Sequence, residues 1–284
     1  MIRICAFADE AGSGPDKQIA ALKRNEINLL ELRSLNGVNV SDFTAEEAKE
    51  YNKRLKGEGI DVWSIGSPLG KVDVDTDMNI YIEKVKRVME TANIFGTDKV
   101  RVFSFFRAYD KKDKVIENLG KMTETAKSFG VRLFHENEKE IYGDVAERVL
   151  DLKAVDGLKF VYDPANFVQC GQDMKVAVET LSPQADYYHV KDVVSSTGEV
   201  VPSGYGDGMT KEMIESVCER DDKVFTIEPH LAVFDGYKDI DKTELKHKFA
   251  YRSNDEAFDA AVKAFKVQLA AAGYKNKGYN IWKK

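Results

Sequence analysis

Short apolar runs rich in β-branched and aromatic residues alternate along this chain with longer stretches whose apolar positions recur at helical spacing. The pattern predicts strands over Ile2–Ala8, Ile27–Arg33, Asp61–Ile65, Lys99–Phe103, Arg132–Glu136, Leu158–Asp163, Tyr187–Lys191 and Val224–Glu228. Between them it predicts helices over Asp16–Asn25, Ala45–Gly57, Met78–Phe95, Asp113–Phe129, Val145–Leu152, Met174–Leu181 and Lys211–Glu219, with a last helix over Glu256–Ala272. Local punctuation agrees. Thr44 and Glu47 form a capping-box signature before the second helix. Asp77 and Asp144 are expected as N-cap or first-turn acids. Gly57, Gly59, Gly96 and Gly130 end or follow helices, where a left-handed residue is cheap.

Eight strands alternating with eight helices, with no break in composition between them, predict a single-domain (β/α)8 barrel spanning residues 1–284. The competing architecture, an open doubly wound sheet, would carry a glycine-rich turn after its first strand. "FADEAGSGPD" contains no G-x-G-x-x-G. "GSPLGKV", residues 66–72, has three residues between its glycines and a valine after its lysine, so it does not read as a phosphate loop. Residues 231–254 break the alternation. They are too long for a plain connection and predict a flap, a short extra element or a contact segment.

The composition narrows the class. Apolar residues at 43% and charged residues at 32% supply a core and a solvated surface. The net charge of −6, with basic residues scattered, argues against nucleic acid or an anionic membrane as partner. No apolar stretch approaches the roughly 20 residues that span a bilayer. The opening "MIRICAFADE" enters a strand directly and lacks the pattern of a signal peptide. Cys5, Cys170 and Cys218 are widely spaced and odd in number, which predicts isolated thiols and a cytoplasmic setting over a disulfide framework or a three-cysteine zinc site.

In a barrel of this kind chemistry gathers at the C-terminal ends of the strands, and four consecutive strands end in ionisable groups. "LFHENE" delivers His135, Glu136 and Asn137, and "FVYDPAN" delivers Asp163 and Asn166. "YYHVKD" delivers His189, Lys191 and Asp192, and "FTIEPH" delivers Glu228 and His230. Glu136, Asp163, His189 and Glu228 follow one another at spacings of 27, 26 and 39 residues, the first two matching one strand–helix repeat. Asp163 and Glu228 each precede a proline, which keeps the acid extended at its strand end. Salt-bridged strand ends would account for any one acid. Three carboxylates and an imidazole converging on one point call for a positive charge among them, and a divalent cation is the economical answer. Oxygen-rich ligation with one histidine suits Mn²⁺ first, with Mg²⁺, Co²⁺ or Zn²⁺ as alternatives.

These residues carry a resemblance over nearly the whole chain. "FADEAGSGPDKQIAALKRNEINLLELR", "IGSPLGK", "HEN", "YDPAN", "HVKD" and "IEPHL" resemble the sugar (phosphate) isomerase/epimerase family of xylose-isomerase-like TIM barrels. That superfamily includes ketose 3-epimerases, inosose dehydratases and endonuclease IV. The resemblance implies that Glu136, Asp163, His189 and Glu228 are metal ligands and that Glu136 and Glu228 double as the acid/base pair. Two departures touch the substrate. Family ketose epimerases usually carry a histidine three residues after the strand-six aspartate, where this chain has Asn166, and they commonly use an arginine after strand seven. Endonuclease IV is disfavoured, because its three-zinc site is rich in histidine and this chain has four, one of them His247.

A cation on a carbonyl and its neighbouring hydroxyl acidifies the adjoining C–H and stabilises an enediolate, while two glutamates move the proton. The expected activity is therefore isomerisation or epimerisation of a small sugar. The alternatives are a lyase on the same scaffold (a dehydratase or a C-glycoside-cleaving subunit) and a non-catalytic sugar- or partner-binding barrel. Lys191, Asn166, Lys71, Arg33, Glu31 and Asp192 are expected to contact substrate, some of them equally readable as structural ion pairs. His135, Asn137 and His230 are expected to support the ligands from behind. Arg101 and Phe105 lie around strand four, where Phe105 is either a sugar-stacking or a core aromatic. Asp9 and Glu10 read as mouth or capping residues. A homo-oligomer is expected for such a barrel, with 231–254 as the contact region.

Overall fold

The computed structural model describes residues 1–218, 221–231, 233 and 249–284. Eight parallel strands run in sequence order: β1 Ile2–Ala6, β2 Leu29–Leu32, β3 Asp61–Ile65, β4 Lys99–Val102, β5 Arg132–Glu136, β6 Lys159–Tyr162, β7 Tyr187–Val190 and β8 Lys223–Ile227. Neighbours pair in that order, and β8 returns to β1 with Ile2 opposite Lys223 and Ala6 opposite Ile227, closing the sheet. The predicted (β/α)8 barrel is the fold of the chain.

Around the barrel lie α1 Pro15–Arg24, α2 Ala45–Gly57, α3 Met78–Phe95, α4 Lys112–Ser128, α5 Ala146–Asp151, α6 Pro164–Gln169, α7 Met174–Thr180, α8 Thr210–Glu215 and α9 Asn254–Ala271. The second and third helices keep their expected bounds because their ends are chemically marked. Thr44 and Glu47 close a reciprocal capping box on α2. Asp77 caps α3, and Gly96 ends it in the left-handed region at φ 74°. Asp144 does not cap α5 as expected. Val145 holds that position without a side-chain bond, and Asp144 instead pairs with Arg148. Hydrophobic periodicity did not reveal α6, a short helix that starts at Pro164 directly after β6. Glu219, the expected end of the seventh predicted helix, and most of the expected flap (232 and 234–248) lie outside the described residues.

Strand alternation sorts the side chains into two faces. One face packs under the helices, where Tyr188 stacks on Phe225 with ring centroids 4.4 Å apart. The other points into the barrel, where Cys5, Leu29, Phe134, Val161, Tyr187 and Val224 form a closed apolar layer. Two residues further along the same strands, and so on the same inner face, come Glu31, Glu136, Asp163, His189 and Thr226. The apolar plug thus forms the floor on which the polar residues stand.

The C-terminal segment completes the sheet. Ile281–Lys283 pairs antiparallel with the first residues of β1, on the edge that meets β2 further up at Ala6–Leu30. Asn280 brackets Ile4 with two bonds, accepting from its N–H at 2.9 Å and donating to its carbonyl at 3.1 Å. Backbone groups that β2 leaves unpaired at the start of β1 are satisfied in this way.

Candidate active site

Each member of the central cluster is placed by a strand end. Glu136 is the last residue of β5, and His189 lies within β7. Asp163 and Glu228 follow β6 and β8 directly. Asp163 also serves as the N-cap of α6, its Oδ1 accepting from Asn166 N–H at 2.9 Å, with Pro164 in the first turn. One ligand-capable atom from each of these four buried residues lies within 4.8 Å of the others. His189 Nδ1 is 2.9 Å from Glu136 Oε1, 3.3 Å from Glu228 Oε2 and 3.9 Å from Asp163 Oδ2.

Cations surround the carboxylates. Arg101 Nη1 lies 3.1 Å from Glu136 Oε2, and Lys191 Nζ lies 3.0 Å from Asp163 Oδ2 and 3.4 Å from Glu228 Oε2. Arg33 reaches Glu228 Oε1 at 3.4 Å and also grips Asp9 and Glu10. These charges set the protonation states. Burial pushes the Glu136 carboxyl upward, but His189 and Arg101 outweigh it and hold it at about 2. Burial likewise opposes ionisation of Glu228, and Lys191, His230 and His189 together bring it well below the ordinary range. Asp163 goes the other way. Burial raises it, Lys191 opposes, and the like charges of Glu228 and Glu136 help leave it at about 6. Burial would neutralise His189, yet Glu136 and Glu31 raise it well above its usual value. An imidazole wrapped in carboxylates takes up positive charge when nothing else supplies it.

The donor set fits a divalent cation: three carboxylates and one imidazole suit a hard or borderline ion. Glu136 Oε2 and Asp163 Oδ2 also lack a well-aligned hydrogen-bond donor although both are buried.

The other expected residues divide. Asn166 donates to Glu136 Oε1 at 3.3 Å and to the Asn137 carbonyl at 2.9 Å. Asn137 pairs with the backbone of Asp163 in both directions at 2.9 Å, so it ties β5 to β6 behind the cluster. His230 lies 3.4 Å from Glu228 Oε1 and 2.9 Å from Glu10 Oε1. Lys71 sits at the rim, over the Phe103 ring and paired with Glu138 at 2.9 Å. Beside Glu228 a cavity of about 240 Å³ is lined by Asp9, Glu10, Arg33 and His230 among others.

Three of the expected residues take structural positions. Glu31 was expected to touch substrate; it is fully buried beneath His189, bonded to Tyr187 and Thr226. Asp192 was expected either to stand by Lys191 and substrate or to cap the loop. It turns into the following loop and accepts the N–H groups of Gly204, Gly206 and Gly208. His135 was expected to back the cluster, but strand alternation turns it outward to Ser104 Oγ at 2.9 Å, and burial holds it neutral at about 3. Phe105 is a core residue, fully buried.

Arg101, placed by the sequence only as a residue around strand four, binds Glu136. The signal was present: a lone arginine in the apolar strand "KVRVF" requires a buried anion. Phe7 was missed altogether. Its ring meets His189 edge-on at 5.2 Å and carries Arg33 above it at 4.7 Å.

Among the described residues no helix is long and apolar enough to cross a membrane. The family model for the xylose isomerase-like TIM barrel matches residues 19–252. No curated protein matches the chain by sequence. Solved structures share the fold at low identity. The probable 3-DHS dehydratase AsbF from Bacillus anthracis has a TM-score of 0.68 at 18% identity, covering 94% of this chain and 99% of its own. IolI protein with a bound zinc atom gives 0.70 at 14%, covering 95% and 99%. L-ribulose 3-epimerase gives 0.68 at 18%, covering 96% of each.

Proposed function

The chain belongs to the xylose isomerase-like TIM barrel family, and on that premise we propose that it is a divalent-metal-dependent isomerase or epimerase of a small sugar. Glu136, Asp163, His189 and Glu228 hold the ion, Mn²⁺ in first place. The observation that carries this reading is the convergence of their four buried donor atoms within 4.8 Å at the C-terminal ends of β5 to β8.

When bound, the ion would polarise a substrate carbonyl and its neighbouring hydroxyl and so acidify the hydrogen on the adjoining carbon. The chain does the rest. Glu136 and Glu228 are held ionised by their cationic neighbours, so either can accept that hydrogen as a proton. Return to the opposite face of the same carbon gives the epimer, and return to the former carbonyl carbon, with the hydroxyl proton passing to the former carbonyl oxygen, gives the aldose–ketose isomer. Lys191 can donate to the oxygen on which charge develops, and Arg101 keeps Glu136 aimed inward. Arg33 lines the cavity beside Glu228 and would meet substrate hydroxyls there, and Asn166 would reach them beside Glu136.

The Lys191 ammonium beside the Glu228 base also supports a second reading, a lyase, because an acid next to the base can protonate a departing β-hydroxyl. Among the structures of like fold is a probable dehydratase.

The test is a panel of ketoses and aldoses incubated with Mn²⁺-loaded protein in deuterated water. Deuterium next to the carbonyl together with a new isomer supports the main reading, and an elimination product without an isomer moves the assignment to the lyase. Glu228→Gln should abolish exchange while retaining much of the metal binding. Protein that binds no divalent ion and exchanges no hydrogen with any sugar refutes both readings.

A further inference from the structure

We infer that Glu31 is the positioning residue of the site: it fixes the His189 ring so that Nδ1, and not Nε2, faces the three carboxylates. The inference rests on the metal-site reading above and concerns a residue outside the four donors. Glu31 belongs to β2, across the barrel from β7, and its side chain is fully buried. Its carboxylate accepts from the Tyr187 hydroxyl at 2.9 Å through Oε1 and from the Thr226 hydroxyl at 2.8 Å through Oε2. The same Oε2 lies 3.3 Å from His189 Nε2. With two hydroxyls donating to it, the carboxylate offers Nε2 acceptors alone. The ring must therefore carry its hydrogen on Nε2 when it contributes a lone pair elsewhere.

Packing leaves the ring little alternative. Phe7 meets it edge-on at 5.2 Å with the planes at 77°, and Tyr187 meets it at 5.6 Å. Tyr187 precedes His189 by two residues on β7, and Thr226 precedes Glu228 by two on β8. One carboxylate from β2 thus ties together the layer beneath two proposed ligands. A carboxylate behind a ligating histidine fixes its tautomer and orientation and raises its basicity.

The test uses the full chain and Co²⁺ as probe. Wild-type protein is titrated beside Glu31→Gln, which keeps the volume and one acceptor, and Thr226→Val, which removes one hydroxyl donor to the same carboxylate. Glu31→Gln is expected to bind Co²⁺ about 10- to 100-fold more weakly and to alter the cobalt absorption bands. Thr226→Val is expected to stay near wild type. Equal losses in both variants, or unchanged affinity and spectrum in Glu31→Gln, overturn the inference. A wild type that binds no Co²⁺ overturns the metal reading itself, which separates the two failures. Should Glu31→Gln not fold, ¹⁵N-histidine spectra of the Zn²⁺-loaded wild type decide. The chain has four histidines, and His189 must show Nε2–H with Nδ1 metallated; the opposite tautomer refutes the positioning role.

Discussion

The ammonium of Lys191 lies 3.0 Å from the Asp163 carboxylate and 3.4 Å from that of Glu228, so a fixed positive charge shares the cluster with the proposed cation. Burial opposes the charge on the lysine, yet Asp163 and Glu228 keep it charged well beyond the ordinary lysine range. Two cations competing for the same carboxylates repel each other. Lys191→Met should therefore tighten Mn²⁺ binding by at least about tenfold. The same change should lower kcat by on the order of 10²-fold, because the donor to the developing oxyanion is lost. Calorimetry on the two proteins, with turnover on whichever sugar the panel identifies, checks both halves. Weaker Mn²⁺ binding in the variant would place Lys191 outside the field of the ion.

Like charges at the cluster also make cation binding a stability effect. An ion that binds the folded chain alone at 100 times its Kd adds about 2.7 kcal/mol. For a chain of this size that is a rise of roughly 5 °C or more in Tm. Thermal melts should show this rise with Mn²⁺ and its reversal by EDTA. Glu136→Gln with Glu228→Gln in one chain should abolish the response, since two of the three carboxylates are then uncharged. A melt indifferent to Mn²⁺ and EDTA speaks against the site.

Much of this was legible in the sequence, for physical reasons that also explain the gaps. Parallel strands buried on both faces write themselves as apolar runs, so the pattern predicts Asp61–Ile65 and Arg132–Glu136 to the residue. Polar residues stood out against such runs, which exposed Glu136, Asp163, His189 and Glu228. Side-chain direction near a strand end was harder to read. Glu31 and Asp192 are both acids at strand ends, yet one points down into the barrel and the other into a glycine loop. Period-two alternation predicts the first only if the register is known, and β2 shifts register against β3 between Leu30 and Glu31. The helix Pro164–Gln169 left no periodic signal because it is shorter than two turns.

Thiol chemistry offers a test of burial away from the site. Burial, aided by Asp144 and Glu138, pushes the Cys170 thiol up to about 12, and burial also raises Cys5, whereas Cys218 is exposed. A raised thiol pKa leaves little thiolate, the reactive form, at neutral pH. Iodoacetamide at pH 8 should modify Cys218 first. Labelling of Cys170 should rise about tenfold per pH unit between 8 and 10, as its thiolate fraction grows. Peptide mass spectrometry reads all three sites, and equal labelling of Cys170 and Cys218 at pH 8 would contradict the structure.

Gly70, in the stretch that imitates a phosphate loop, has a structural role that two substitutions can isolate. Its φ is +89°, and a Cβ there would stand 2.0 Å from the Phe103 carbonyl oxygen at the end of β4. Its N–H donates to Tyr81 Oη at 2.9 Å, and its carbonyl accepts from Phe105 N–H at 3.0 Å, so the backbone cannot step aside without breaking both bonds. Gly37 shares the left-handed backbone, at φ +79°, but a Cβ there would meet nothing within 4 Å. Gly37→Ala therefore carries the conformational penalty alone, about 1 kcal/mol. Gly70→Ala adds displacement of Phe103, bringing its loss to roughly 2–4 kcal/mol. Urea unfolding of the two variants should separate them by at least 1 kcal/mol or so. If they unfold alike, the close approach of the β3 loop to β4 is not what requires glycine at this position.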